Sequence, residues 1–143
     1  MVTKLNNKQI EENWAALKEA IQAGVTKTPR NPAETSNAVL RKLLSGEAQA
    51  WVGLIEGRIC LVCTTFFLYD PCEIEKSLFI YSLYGYAKIT NEVWEEGRQK
   101  LLSFARGSGC SKITALSDVP RVVEIARGIL GADTKTTYIY WEV

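Results

Sequence analysis

The amino-acid sequence predicts a mixed α/β domain, an α+β arrangement whose central mixed sheet is flanked by helices in the order α-α-β-β-β-α-β-α-β. Three observations carry that prediction. Leu78 to Tyr84 reads LFIYSLY, uncharged and rich in aromatic and β-branched residues, the composition of a strand buried on both faces. After a short break at Gly85 to Ile89 it leads into apolar residues at helical spacing, Val93, Trp94, Leu101, Leu102, Phe104 and Ala105. Upstream, two long apolar runs are joined by Glu56-Gly57, a hairpin signal in which glycine supplies positive φ.

Taken in order, Lys8 to Ala23 predicts an amphipathic helix with Ile10, Trp14, Leu17 and Ile21 inward, ended by Gly24. Thr26 to Pro32, with Pro29 and Pro32, predicts a loop without regular structure. Ser36 is the expected cap of a second helix carrying Val39, Leu40, Leu43 and Leu44 and closed by Gly46. Ala48 to Ile55 and Arg58 to Tyr69 are expected antiparallel strands, and Asp70-Pro71-Cys72-Glu73 a turn into the central strand. The main helix, Asn91 to Arg106, is capped by Thr90 or Asn91; Glu92, Glu95 and Glu96 suit the positive end of its dipole as solvated charges, and Gly107 and Gly109 stop it. Lys112 to Leu116 predicts a short strand. Pro120 opens a last helix to about Leu130 that buries Val122, Val123, Ile125, Ala126, Ile129 and Leu130, with Gly131 as its cap. Lys135 to Val143 alternates Thr137, Ile139 and Trp141 with Tyr138 and Tyr140, the pattern of a closing strand. No repeat or linker interrupts the chain, so residues 1–143 form one domain, helical over 1–47 and built of the sheet and two helices over 48–143.

Seventeen basic and sixteen acidic residues give a net charge of +1, which argues against a nucleic-acid surface, because phosphate binding depends on clustered Lys and Arg. No run approaches a membrane span and the first residues lack the apolar core of a signal peptide, so the expected setting is a reducing cytoplasm, without membrane or disulfide. Cys60-Leu61-Val62-Cys63 is formally a CxxC, but in a strand positions three apart face opposite ways, so both read as small buried hydrophobes; no metal site is expected. The chain has no histidine, which excludes Ser-His and Cys-His nucleophiles and any histidine base.

The element order, with three meandering strands, then helix, strand, helix and closing strand, resembles the GNAT superfamily of acetyl-CoA-dependent N-acyltransferases. Ala50-Trp51-Val52 through Glu56-Gly57-Arg58-Ile59 looks like that family's first hairpin, Leu78 to Tyr84 like its central strand, Asn91 to Arg106 like the helix that faces the cofactor pyrophosphate, and Arg127-Gly128-Ile129-Leu130-Gly131-Ala132 like the helix end before the last strand. Ile80-Tyr81-Ser82-Leu83-Tyr84 with Arg121-Val122-Val123-Glu124-Ile125 is similar to short GNAT-like proteins of tailed phages. The chain departs from the family in one loop: where active members carry Gly-x-Gly or Gly-x-Ala, it has Tyr84-Gly85-Tyr86-Ala87-Lys88-Ile89-Thr90, with one early glycine and β-branched Ile89 and Thr90.

Two functions follow as expectations. The departing loop, with four tryptophans and six tyrosines, points to a GNAT-like module that has lost catalysis and serves in binding or structure, in a phage virion or as an accessory protein, with a protein partner or a second copy against it and no cofactor. The alternative is an acetyl-CoA-dependent N-acetyltransferase acting on an amine, with acetyl-CoA in the V between the central strand and Lys112 to Leu116. The resemblance then implies cofactor contacts from Leu83, Tyr84, Lys88, Thr90 and Asn91. It also implies a proton acceptor and a proton-donating tyrosine among Tyr69, Glu73, Tyr81, Tyr84, Tyr86, Asp118 and Tyr138, with Tyr81, Tyr84 and Tyr138 foremost. The same tyrosines equally suit core or interface packing.

Overall fold

Val2, Thr3 and Lys4 at the start of the chain are extended and pair antiparallel with a later strand, an element the sequence reading did not include. In the computed structural model, which describes residues 1–72 and 74–143, this strand β1 (Val2–Lys4) is followed by helices α1 (Asn7–Glu12), α2 (Trp14–Gly24) and α3 (Pro32–Ser45), then strands β2 (Ala48–Ile55), β3 (Arg58–Tyr69) and β4 (Lys76–Gly85), helix α4 (Asn91–Gly107), strand β5 (Lys112–Ala115) and helix α5 (Pro120–Gly128). One five-stranded sheet runs β1-β2-β3-β4-β5, antiparallel except for the parallel pair β4–β5. The mixed sheet flanked by helices is the predicted fold class. Besides its ladder, β1 is held at both ends: the Met1 amino group donates to Leu54 O at 2.7 Å and the Leu54 amide donates to Met1 O at 2.6 Å, the Leu5 amide donates to Ala50 O, and the Val2 amide donates to the Glu96 carboxylate on α4. Glu96 is therefore a tie between helix and sheet edge, where a solvated charge was expected.

The expected single first helix breaks at Asn13, whose side-chain amide donates to Gln9 O at 2.8 Å and so competes with the helical ladder. The second helix begins earlier than expected. Asn31 caps it by accepting from the Glu34 amide, Pro32 fills the first turn, and Ser36 lies buried inside the helix, accepting from Gln22 Nε2 at 2.8 Å. At the hairpin, Glu56 and Gly57 both take positive φ, 51° and 75°, the pair of left-handed residues a tight turn with native twist requires. The predicted central strand is half-buried over much of its length, with Leu78 and Ser82 its deepest side chains past Ser77.

Helices α1 to α3 cover one face of the sheet: Ile10, Leu17, Ile21, Val39 and Leu43 pack on Ala48, Ala50, Val52 and Val62. Helix α4 covers the other, with Val93, Leu101 and Ala105 against Trp51, Cys63 and Leu78. The last segment contradicts two expectations. Helix α5 is amphipathic but buries no residue, and Lys135 to Val143 forms no strand, leaving Tyr138 64% and Trp141 81% exposed. A strand needs a ladder as well as a pattern, and within the described residues the alternation meets none. The expected turn residue Glu73 lies outside the described residues.

Two β-bulges shape the sheet. Between β2 and β3 the register passes from Gly53↔Leu61 to Leu54↔Ile59, so Cys60 is an extra residue. That insertion shifts the pleat by one and turns Cys60 to the same core as Cys63, where opposite faces were expected. Burial pushes the Cys63 thiol up to about 12. A thiol reagent added to native protein should therefore modify exposed Cys72 first and reach Cys60 and Cys63 only on unfolding, counted by mass spectrometry of the labelled peptides; rapid native labelling of Cys63 would contradict this packing.

Candidate functional site

The second bulge lies in β4, where Thr64↔Ser82 is followed by Thr65↔Ile80 and Tyr81 is the extra residue. The parallel ladder with β5 ends at the same level, at Ile80↔Ala115. A bulge bends its strand, so beyond Ile80 the β4 edge from Tyr81 to Gly85 runs on without β5 beside it. This is the position at which the resemblance implies a V between the two strands. Its open end leads through Tyr86, whose amide donates to Cys60 O at 2.8 Å, to Thr90, whose hydroxyl caps α4 by accepting from the Val93 amide at 3.4 Å. The start of α4 thus follows the vacated edge after a short turn, and a helix N-terminus leaves first-turn amides able to meet an anion.

Leu83, Tyr84, Lys88, Thr90 and Asn91 all lie along this path from strand edge to helix start. Lys88, Thr90 and Asn91 are exposed, whereas Ile89 turns into the α4 face core. Glu92 in the first turn opposes an anion there, and Lys88 is the cation that favours one. Tyr81 is half-buried on the α2–α3 face, packed edge-on against Phe66 with ring centres 5.0 Å apart, and burial raises its hydroxyl pKa. Tyr84 packs edge-on against Tyr86, also 5.0 Å apart, at the strand end. Burial, then Tyr84 and the Glu19 carboxylate, raise the Tyr86 hydroxyl pKa. Tyr138 is on the exposed tail beside Tyr140, so the structure groups Tyr81 and Tyr84 on β4 and leaves Tyr138 apart from them. Tyr69 is exposed at the far end of β3 and Asp118 exposed after β5. Among the described residues no group of three or more metal-ligating side chains gathers, and no helix is long and apolar enough to cross a membrane.

Sequence reasoning missed the segment that crosses the V. Val25 forms an isolated antiparallel bridge with Ser82, on the β4 edge that β5 leaves. Gly24 lies so close to β4 that a Cβ there would meet Leu83 backbone atoms at 2.9–3.0 Å. Thr26 Oγ1 donates to Leu116 O at 2.8 Å, reaching the end of β5. Beyond it, Lys27 Nζ pairs with Glu142 at 2.7 Å and lies 3.9 Å over the Tyr140 ring, and Arg30 reaches the same carboxylate at 3.5 Å. The Glu142 hydrogen bond holds the Lys27 pKa up, and Lys27 holds that of Glu142 down. The close Gly24 contact was the one legible signal: a glycine inside a helical end suits a close backbone approach as well as a stop.

Two buried hydroxyls beside the β4 bulge also stand out. Thr64 and Ser82, opposite one another across the β3–β4 ladder and 0% and 2% exposed, have no hydrogen-bond partner among the described residues. Buried hydroxyls are ordinarily paired, so leaving this pair without partners costs stability.

No protein-family model matches the sequence, and no curated protein does. Solved structures do match over the whole chain. AAC(6')-Iy, in complex with the bisubstrate analogue CoA-S-monomethyl-acetylneamine, aligns with a TM-score of 0.74 at 13% identity, covering 100% of this chain and 97% of that one. A predicted acetyltransferase from Clostridium acetobutylicum with acetyl-CoA aligns at 0.67 and 17% identity, covering 100% and 94%. A GNAT family acetyltransferase from Staphylococcus aureus aligns at 0.66 and 12%, covering 100% and 98%. The chain has the GNAT acetyltransferase fold.

Proposed function

We propose that this domain binds acetyl-CoA along the vacated β4 edge and transfers the acetyl group to an amine. The observation that supports it is the departure of β5 from β4 at Tyr81, which leaves a strand edge leading straight to the Thr90-capped start of α4. Acetyl-CoA would supply an activated acyl thioester. The backbone of Leu83 and Tyr84 would pair with its amide-bearing arm, while the α4 amides, Thr90, Asn91 and Lys88 would meet its phosphates. Transfer breaks the carbon–sulfur bond, forms an amide and moves one proton from the amine to the departing thiolate. Tyr81 and Tyr84 carry hydroxyls on β4 able to protonate the thiolate, the resulting tyrosinate taking the proton that the amine gives up; burial raises the Tyr81 hydroxyl pKa.

The test is free CoA released from acetyl-CoA by purified protein, followed by mass spectrometry across a panel of primary amines. Turnover is expected with at least one amine, and Tyr→Phe at whichever of Tyr81 or Tyr84 is the proton donor should lower kcat about 10²–10⁴-fold. No release with any amine and no binding of acetyl-CoA would favour the second reading. That reading is a non-catalytic binding or structural module, as a virion component or accessory protein with a protein partner or second copy. Its support is the departing loop, the Gly24–Thr26 segment across the V and the exposed aromatics of the tail.

A further inference from the structure

The segment across the V has the shape of a ligand surrogate. Its backbone lies antiparallel to β4 at Ser82, presses on Leu83 through Gly24, and reaches Leu116 just past β5 through Thr26, so the segment sits over Ser82 and Leu83 of the edge that β5 vacates. What keeps it there is modest. Val25 makes one isolated bridge, and the loop beyond is anchored by exposed ion pairs from Lys27 and Arg30 to the single carboxylate of Glu142, with Lys27 over Tyr140. Exposed pairs of this kind contribute little and are screened by salt. Beside the bridge, the hydroxyls of Ser82 and Thr64 stay buried and unpaired, a cost the closed arrangement carries and a polar ligand would relieve.

We propose that the loop between α2 and α3 is a displaceable cover: it occupies the arm's seat on β4, is latched by Glu142 of the C-terminal tail, and swings off to admit an acyl thioester whose carbonyl or amide groups reach the Ser82 and Thr64 hydroxyls. The inference rests on the acetyl-CoA reading of the same cleft. Closure lowers apparent affinity by the fraction of molecules that are open, so any change that releases the loop raises affinity without touching a ligand contact. Two substitutions release it by different routes. Gly24→Ala adds a Cβ that cannot coexist with the Leu83 backbone, and Glu142→Gln removes the charge that holds Lys27 and Arg30. Thr64→Val acts oppositely on two readouts, relieving a buried unpaired hydroxyl in the free protein while removing a ligand partner.

The test pairs hydrogen exchange on the free protein with calorimetric titration of acetyl-CoA. Peptides covering Val25 and Ser82 to Gly85 should exchange faster in Gly24→Ala and Glu142→Gln than in the parent, and both variants should bind acetyl-CoA more tightly, up to roughly 10-fold. Thr64→Val should melt at the same or a higher temperature and bind several-fold more weakly. Because Glu142 is exposed, its variant keeps the test decisive if Gly24→Ala disturbs the fold. Unchanged exchange in Glu142→Gln overturns the latch, and faster exchange without tighter binding overturns the cover. If acetyl-CoA binds neither parent nor released variants although exchange has risen, the acetyl-CoA reading fails and the cover's ligand with it, while the loop motion itself stands as measured.

Discussion

Thr65→Val should destabilise the protein by roughly 2–5 kcal/mol, while the same substitution one residue earlier, at Thr64, should be neutral or stabilising. The two threonines are neighbours on β3, both 0% exposed, and differ only in what they touch. Thr65 Oγ1 accepts from Trp51 Nε1 at 3.0 Å and donates to Gln49 Oε1 at 2.8 Å, and Gln49 in turn donates to Gly46 O. Valine keeps the volume and removes both links, so a buried indole N–H and a buried amide oxygen lose their partner together. At Thr64 no partner is lost, because none is present among the described residues. Denaturant unfolding of the two single variants and the parent measures the contrast. Equal effects at the two positions would mean that the hydrogen-bond chain through Thr65 is not formed.

The second large effect is expected at Leu78. Its side chain is 0% exposed and sits where β4 pairs with both Phe67 of β3 and Ile113 of β5, beneath α4. Leu78→Ala removes apolar area and leaves a cavity between a strand pair and a helix that cannot both move inward, at a cost of about 2–5 kcal/mol. Set against a total of about 5–15 kcal/mol for an ordinary domain, that is a large share. A fall in unfolding midpoint without a change in slope against denaturant is the expected signature. Loss of Leu78 should also reach the site, since Leu78 fixes the β4–β5 pairing whose end defines the V.

Much of this architecture was legible because its signals are local. Glu56-Gly57, the LFIYSLY run and the Thr90 cap each depend on residues within a few positions, and each stands where the sequence placed it. Cys60 shows why the rest was not. Strand parity assumes an uninterrupted pleat, and a one-residue bulge reverses it for every side chain beyond. Tyr81 is the same case at the site: its composition reads as strand, but only the register across to Thr64 and Thr65 reveals that it is inserted and that β5 ends there. The tail fails differently. Thr137 to Trp141 alternates as a strand should, yet alternation cannot supply a neighbour, and the described fold places Tyr140 under Lys27 and Glu142 against Lys27 and Arg30 instead. Contacts such as Val25 with Ser82 and Lys27 with Glu142 join residues far apart in sequence and belong to neither motif nor period.

The central claim is that the β4 edge past Tyr81 and the start of α4 together receive acetyl-CoA. Hydrogen exchange of the parent protein with and without saturating acetyl-CoA tests it most directly. Slowed exchange concentrated in peptides covering residues 81–93 is the predicted result; protection confined to other parts of the chain, or none at millimolar acetyl-CoA, would contradict it.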